Sequence, residues 1–202
     1  MSFVICTLCK YWGLMLGDTI ALNMDKTISS DNAQKIYRIN ENSVIATAGY
    51  TGLTHPLIEN IMYNNHKADL TYVECSNILM NNTKRIEKSY KKFTEIQNIN
   101  SGIGLMGTNN GIINFLFISF VNGEISLSKK EFLNEDDATI SILGNGMYGN
   151  LGDLFWQEYN QNPIISINNI TSIFKKTLST ESKKDISINN NFISEVIFNC
   201  SN

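Results

Sequence analysis

The spacing of apolar residues along this chain changes period four times, and that alternation limits the folds open to it. Val4-Ile5-Cys6-Thr7-Leu8 and Leu14-Met15-Leu16 are short apolar runs separated by Lys10-Tyr11-Trp12-Gly13, the pattern of a hairpin with a Gly-containing turn. Ile36 to Ile39 alternates, Asn40-Glu41-Asn42 turns, and Val44 to Gly49 continues as a buried strand. The period then becomes helical. Leu53, Leu57, Ile58, Ile61 and Met62 share one stripe, with Thr54 expected as N-cap and Pro56 in the first turn. A second helix turns Tyr72, Cys75, Ile78, Leu79 and Ile86 inward and leaves Lys84, Arg85, Glu87, Lys88, Lys91 and Lys92 as a solvated face.

Strands return at Gly102 to Met106, Ile112 to Val121 and Ile125 to Leu127, the last two joined by Asn122-Gly123, a strong hairpin signal. Thr139 to Leu143 adds another strand. Two amphipathic helices follow, carrying Leu151, Leu154, Phe155 and Tyr159 and then Ile170, Ile173, Phe174 and Leu178, before a last strand from Phe192 to Phe198. Segregated runs of strands and helices argue α+β. Two sheets packed face to face, with a helix pair outside each, would cover every apolar face, which is a four-layer αββα sandwich. A chain of 202 residues without a linker, repeat or low-complexity segment suits a single domain, 1–202.

Sixteen basic and nineteen acidic residues are interspersed, giving a formal charge of −3 and neither a nucleic-acid footprint nor an acidic tail. Cys6, Cys9, Cys75 and Cys200 are too few and too scattered for a disulfide scaffold, so a reducing cytoplasm is the expected compartment. Cys6 and Cys9 would point to opposite faces of a strand, and no second Cys/His pair completes a zinc site, so no metal or other cofactor is expected. The apolar N-terminus lacks a basic n-region and a cleavage site. The longest apolar stretch, Gly111 to Val121, is far shorter than the ~20 residues of a spanning helix. No membrane association is expected.

The chemistry-bearing residues cluster in the first fifty positions. Ser2 stands behind Met1, and Asp18, Lys35 and the pair Ala48-Gly49 each lie beside a short apolar run. Removal of Met1 would leave a hydroxyl and a free α-amine on one residue, the logic of an N-terminal-nucleophile (Ntn) hydrolase. The amine, with a reference pKa of ~8, supplies the base that an unassisted serine lacks. Lys35, paired with and oriented by Asp18, would lower the pKa of both groups on Ser2. His55 and His66 have no Ser or Cys motif to serve and read as bystanders.

The order of these residues resembles the proteasome β-subunit family, most closely its bacterial Anbu branch. The steps from Ser2 to Asp18 and from Lys35 to Gly49 are similar to the family's steps from nucleophile to aspartate and from lysine to oxyanion glycine. Ile142-Leu143-Gly144-Asn145-Gly146-Met147-Tyr148-Gly149-Asn150 is similar to the Anbu strand-to-helix motif, and Asp185-Ile186-Ser187-Ile188 to that branch's segment before the last strand. This chain departs from the family in holding Ser2 where Thr is usual and Asn145 where a Ser stands between two glycines, and in lacking the Arg that commonly follows the aspartate.

The resemblance implies a peptidase or amidohydrolase with Ser2 as nucleophile and the Gly49 amide facing the oxyanion. Asn145, Asp185 and Ser187 would form a supporting shell near the amine. Ala21, Ala33, Thr47 and Thr51 would line the primary pocket, and their small side chains would admit a large apolar residue of a peptide. It also implies self-assembly into a ring or spiral. The chain has no Gly-x4-Gly-Lys-Ser/Thr loop, so any unfolding ATPase would be a separate partner. Two other readings share the fold: a catalytically silent assembly subunit, which a retained Met1 would favour, and a hydrolase of small amides.

Overall fold

Strands β1 (Val4–Cys9) and β2 (Trp12–Asp18) form the first hairpin in a computed structural model that describes residues 2–23, 27–94, 100–144, 150–184 and 189–199. Every residue of β1 is buried because both of its faces are covered. Val4, Cys6 and Leu8 point into one core and Phe3 and Ile5 into another, which explains a continuous apolar run where a half-exposed strand would alternate. Two short strands follow, β3 (Ala21–Leu22) and β4 (Ile28–Ser30), paired only with each other.

Five strands make an antiparallel meander in sequence order: β5 (Ile36–Asn40), β6 (Ser43–Gly49), β7 (Ser101–Asn109), β8 (Ile112–Val121) and β9 (Glu124–Phe132). Asn122 and Gly123 both adopt positive φ, 52° and 83°, the backbone of a type I′ turn. β9 runs five residues beyond the expected Leu127, because charged residues from Lys129 to Glu131 interrupt the apolar signal but not the ladder. β10 (Ala138–Leu143) and β11 (Phe192–Phe198) flank the first hairpin, giving a second sheet ordered β10-β1-β2-β11.

Three cores hold these elements together. Val4, Cys6, Leu8 and Met15 of one sheet pack against Val44, Ala46, Met106 and Phe115 of the other. Helices α1 (Thr51–Met62) and α2 (Tyr72–Thr94) cover the five-stranded sheet through Leu57, Ile61, Cys75 and Leu79, which meet Ile45, Leu105, Leu116 and Phe120. Helices α3 (Leu151–Gln161) and α4 (Ile167–Glu181) cover the four-stranded sheet, with Phe3 stacked on Phe174 at 5.2 Å between ring centroids.

One boundary differs from expectation. α1 starts at Thr51, not after Thr54, so its N-cap is Tyr50 and Thr54 is a buried interior residue whose hydroxyl donates back to the Tyr50 carbonyl at 3.4 Å. Pro56 therefore sits inside the helix, and the apolar stripe alone did not register the extra residues because Thr51 and Gly52 are exposed. α2 begins with a capping box: the Thr71 amide and hydroxyl donate to Glu74 Oε2, each at 2.8 Å, and the Glu74 amide returns a bond to Thr71 Oγ1 at 3.2 Å. Among the described residues no helix is long and apolar enough to cross a membrane.

Candidate functional site

Register places the chemistry-bearing residues at one edge of both sheets. Val4 lies opposite Gly17 and Leu143, Asp18 opposite Phe192, and Gly49 opposite Ser101. Ser2 just precedes β1, Asp18 ends β2, Lys35 just precedes β5, and Gly49 ends β6. Strand pairing brings the Ser2 end of β1 to Asp18 in one sheet and Lys35 to the end of β6 in the other, and packing of the two sheets joins Asp18 to Lys35.

Asp18 is the hub. Its Oδ1 accepts from the Phe3 amide at 2.7 Å and from Lys35 Nζ at 2.8 Å, and its Oδ2 accepts from the Ile20 amide at 3.3 Å. Its own amide donates to the Phe3 carbonyl at 3.1 Å. The Asp18 side chain is fully buried and that of Lys35 only 7% exposed, so the ion pair is shielded from solvent. Burial pushes the Asp18 carboxyl above the usual carboxylate range, against the pull of Lys35 and of the amide bonds. The same burial holds the Lys35 ammonium below the ordinary lysine range, against the attraction of Asp18.

Ser2, 7% exposed, is held against the other wall of the site. Gly144, at φ +74°, faces it so closely that a Cβ there would collide with the Ser2 carbonyl oxygen and approach the Ala48 Cβ to 3.2 Å. Gly49 is equally constrained. Its φ is +93°, and a Cβ would collide with the Asn100 carbonyl and come within 2.7 Å of the Ser101 Cα. The next amide, of Tyr50, donates to Ser101 Oγ at 2.9 Å, which anchors the turn from β6 into α1. A glycine at the end of this strand is therefore demanded by sterics as well as by any approach of substrate.

The four residues expected in a primary pocket are spread around this edge. Thr47 is buried and its amide donates to the Lys35 carbonyl at 2.8 Å; the Ala33 amide donates to the Thr19 carbonyl at 2.5 Å. Ala21 lies half-buried in β3, and Thr51 is exposed at the start of α1. A cleft of about 380 Å³ opens between β5 and α1, lined by Gln34, Tyr37, His55, Ile58, Met62 and neighbouring residues, and none of the four expected residues lines it. The Tyr37 hydroxyl donates to the Gln34 carbonyl at 2.7 Å and lies 3.2 Å from His55 Nε2. Asn145, Asp185 and Ser187 lie outside the described residues.

Two contributors carried no sequence signal as site residues. Asn189 Nδ2 donates to Thr19 Oγ1 at 3.0 Å and to the Asp31 carbonyl at 2.9 Å, and the Thr19 hydroxyl donates to the same carbonyl at 2.8 Å. This stitch ties the segment before β11 to the loop that follows Asp18. One asparagine among the three of 189–191 offers no pattern to distinguish it. Gly144 was visible only as part of a glycine-bearing motif, and its contact with Ser2 needs the β1–β10 register to appear.

No family model matches the chain, and no curated protein matches it in sequence. Among solved structures, the chain is similar to eukaryotic HslV from Trypanosoma brucei, with a TM-score of 0.56 and 14% identity over 97% of this chain and 99% of that one. A likeness at that identity speaks for the fold alone, and the chain shares the fold of HslV.

Proposed function

We propose that this chain, on its HslV-like fold, is a peptidase or amidohydrolase that uses Ser2 as an N-terminal nucleophile after removal of Met1. The observation that carries the reading is the Asp18 carboxylate, which bonds at once to the amide next to Ser2 and to the Lys35 ammonium. The three packed cores are read as the interior of a four-layer αββα sandwich, and the family branch as Anbu-like.

In this mechanism the Ser2 α-amine accepts the hydroxyl proton as Oγ attacks the substrate carbonyl carbon. Lys35, held as a cation by its bond to Asp18, stabilises the developing charge on Ser2. The Gly49 amide donates to the oxyanion, an interaction whose loss in other hydrolases costs about 3 kcal/mol. Collapse of the tetrahedral intermediate passes the proton to the leaving amine and leaves a seryl ester, which water then hydrolyses. Asn145, Asp185 and Ser187 would steady the α-amine. Ala21, Ala33, Thr47 and Thr51 would border the substrate's primary side chain, with a large apolar residue preferred. The working form is a homo-oligomeric ring or spiral in the cytoplasm, served by a separate ATPase where folded proteins are the substrate.

Intact mass of the untagged protein, before and after a β-lactone or epoxyketone probe, tests the reading. Loss of one Met and a single adduct on Ser2 is the expected result. A retained Met1 without an adduct would overturn it in favour of an assembly subunit.

A further inference from the structure

At the opposite end of the five-stranded sheet, far along the strands from Gly49, a second cleft of about 380 Å³ lies between the start of α2 and strands β8 and β9. Its size is within the range of small-ligand cavities. Two of its lining residues, Asn114 and Glu131, lie in one cross-strand row that continues past the cleft: Ser43 opposite Gly107, Gly107 opposite Asn114, and Asn114 opposite Glu131. Tyr72 of α2 packs over the glycine, where a Cβ would come within 2.8 Å of its ring and 2.9 Å of Ser43 Oγ.

Two observations mark this as more than a surface dent. Ser76, 2% exposed, lines the cleft, and its buried hydroxyl has no hydrogen-bond partner among the described residues; the same holds for the buried Ser43 hydroxyl in the adjoining row. Buried hydroxyls are normally satisfied by protein, ligand or ordered water. Asn114, 5% exposed, commits its Nδ2 to the Ile112 carbonyl at 2.9 Å, which leaves its oxygen as an acceptor in the wall. The rim carries Lys129, Lys130 and Glu131; Lys130 is committed, its Nζ donating to the Ala138 carbonyl at 3.3 Å and lying over the Phe132 ring, which leaves one charge of each sign. Lys129 and Glu131 are exposed, stand two residues apart on one face of β9, and form no ion pair among the described residues.

We infer that this cleft binds a small zwitterion, a free α-amino acid or a short peptide, with its carboxylate on Lys129, its ammonium on Glu131 and its polar body against Ser76, Asn77 and Asn114. Two positions along a strand are separated by about 7 Å, the scale of a dipeptide from end to end. A ligand of one sign would leave one rim charge opposed, whereas a zwitterion answers both. The inference stands apart from the Ser2 chemistry, since it needs neither removal of Met1 nor hydrolysis.

Titration calorimetry of the full-length protein with alanine, alaninamide, N-acetylalanine and alanylalanine tests it. Alanine or alanylalanine should bind saturably below about 10 mM. Alaninamide and N-acetylalanine, each missing one charge, should bind at least about tenfold more weakly, as expected for losing a charge-assisted hydrogen bond. Comparison of alanine with alanylalanine distinguishes amino acid from peptide. Lys129→Ala should erase the preference for a free carboxylate and Glu131→Gln the preference for a free amine; both side chains are exposed, so neither change threatens folding. Absence of saturable binding, equal binding of the blocked ligands, or unchanged preferences in both variants would overturn the assignment.

Discussion

Asp18 and Phe3 hold each other through two hydrogen bonds, the Phe3 amide donating to the Asp18 carboxylate at 2.7 Å and the Asp18 amide to the Phe3 carbonyl at 3.1 Å. The first bond extends the β1–β2 ladder by a side chain just where the backbone of Ser2 begins. Placement of the nucleophile and placement of Lys35 are thus not separate problems, because one carboxylate oxygen serves both.

Replacing Asp18 by Ala should therefore destabilise the fold as well as abolish hydrolysis. It strands the Lys35 ammonium in a site with 7% exposure, and breaking a buried pair costs about 3–5 kcal/mol. Urea denaturation of the variant against wild type measures the loss.

Asp18→Asn separates charge from shape. Attraction to Asp18 is what raises the proton affinity of Lys35, while burial lowers it, so removal of the charge should depress Lys35 further below 10.5. A folded-state value below the unfolded one means that the folded chain binds fewer protons. The stability of this variant is then full above 10.5 and lost as pH falls through the folded-state value. In the wild type the raised Asp18 works the other way, its contribution being present below 3.8 and lost as pH rises through its folded value. Urea midpoints across pH check both: the acid-side loss should be absent from the variant, and the alkaline-side slope, which wild type shares, should be larger in it.

Lys35→Arg should fail to restore activity lost in Lys35→Ala. The guanidinium is larger than a compact ammonium and does not give up its proton, and the site offers a single carboxylate oxygen at 2.8 Å, not a fork. Turnover of a fluorogenic peptide and reaction with the β-lactone probe measure both variants.

Gly144→Ala should displace Ser2 even though it touches no member of the Asp18–Lys35 pair. At φ +74° a non-glycine residue is strained, at a cost of about 1–3 kcal/mol, and the added methyl collides with the Ser2 carbonyl. The expected signature is loss of probe labelling at Ser2 with a modest drop in melting temperature.

Asn189→Ala removes the two bonds donated by Nδ2 and the long one, 3.5 Å, that Oδ1 accepts from the Thr19 amide, leaving the Asp31 carbonyl its bond from the Thr19 hydroxyl. Each such bond is worth about 1 kcal/mol, so a loss of about 2 kcal/mol is expected. Cleavage of the 19–31 loop under limited proteolysis should quicken.

How far these features could be read in advance varied with their physical origin. β8 and β11 match their expected bounds, Ile112 to Val121 and Phe192 to Phe198, because turn residues and apolar runs there coincide. Asp18 and Lys35 were legible as a spacing, and the packing of one sheet on the other supplied the contact that spacing alone could not. Thr54 was misplaced because an exposed helix start leaves no mark on an apolar stripe. β3 and β4, two and three residues long, are too short to display a period. Gly144 and Asn189 act through partners more than a hundred positions away, and no local pattern encodes such a contact.

The pairing of β11 with β2, which sets Phe192 opposite Asp18, has a temporal consequence. The residues with chemical potential are made well before the strand that flanks their hub. Until β11 is made, that flank of β2 stays open on the nascent chain and the stitch from Asn189 to Thr19 is unmade. The surroundings of Asp18 are thus held unfinished while more than a hundred further residues are added, and the arrival of β11 is what closes them.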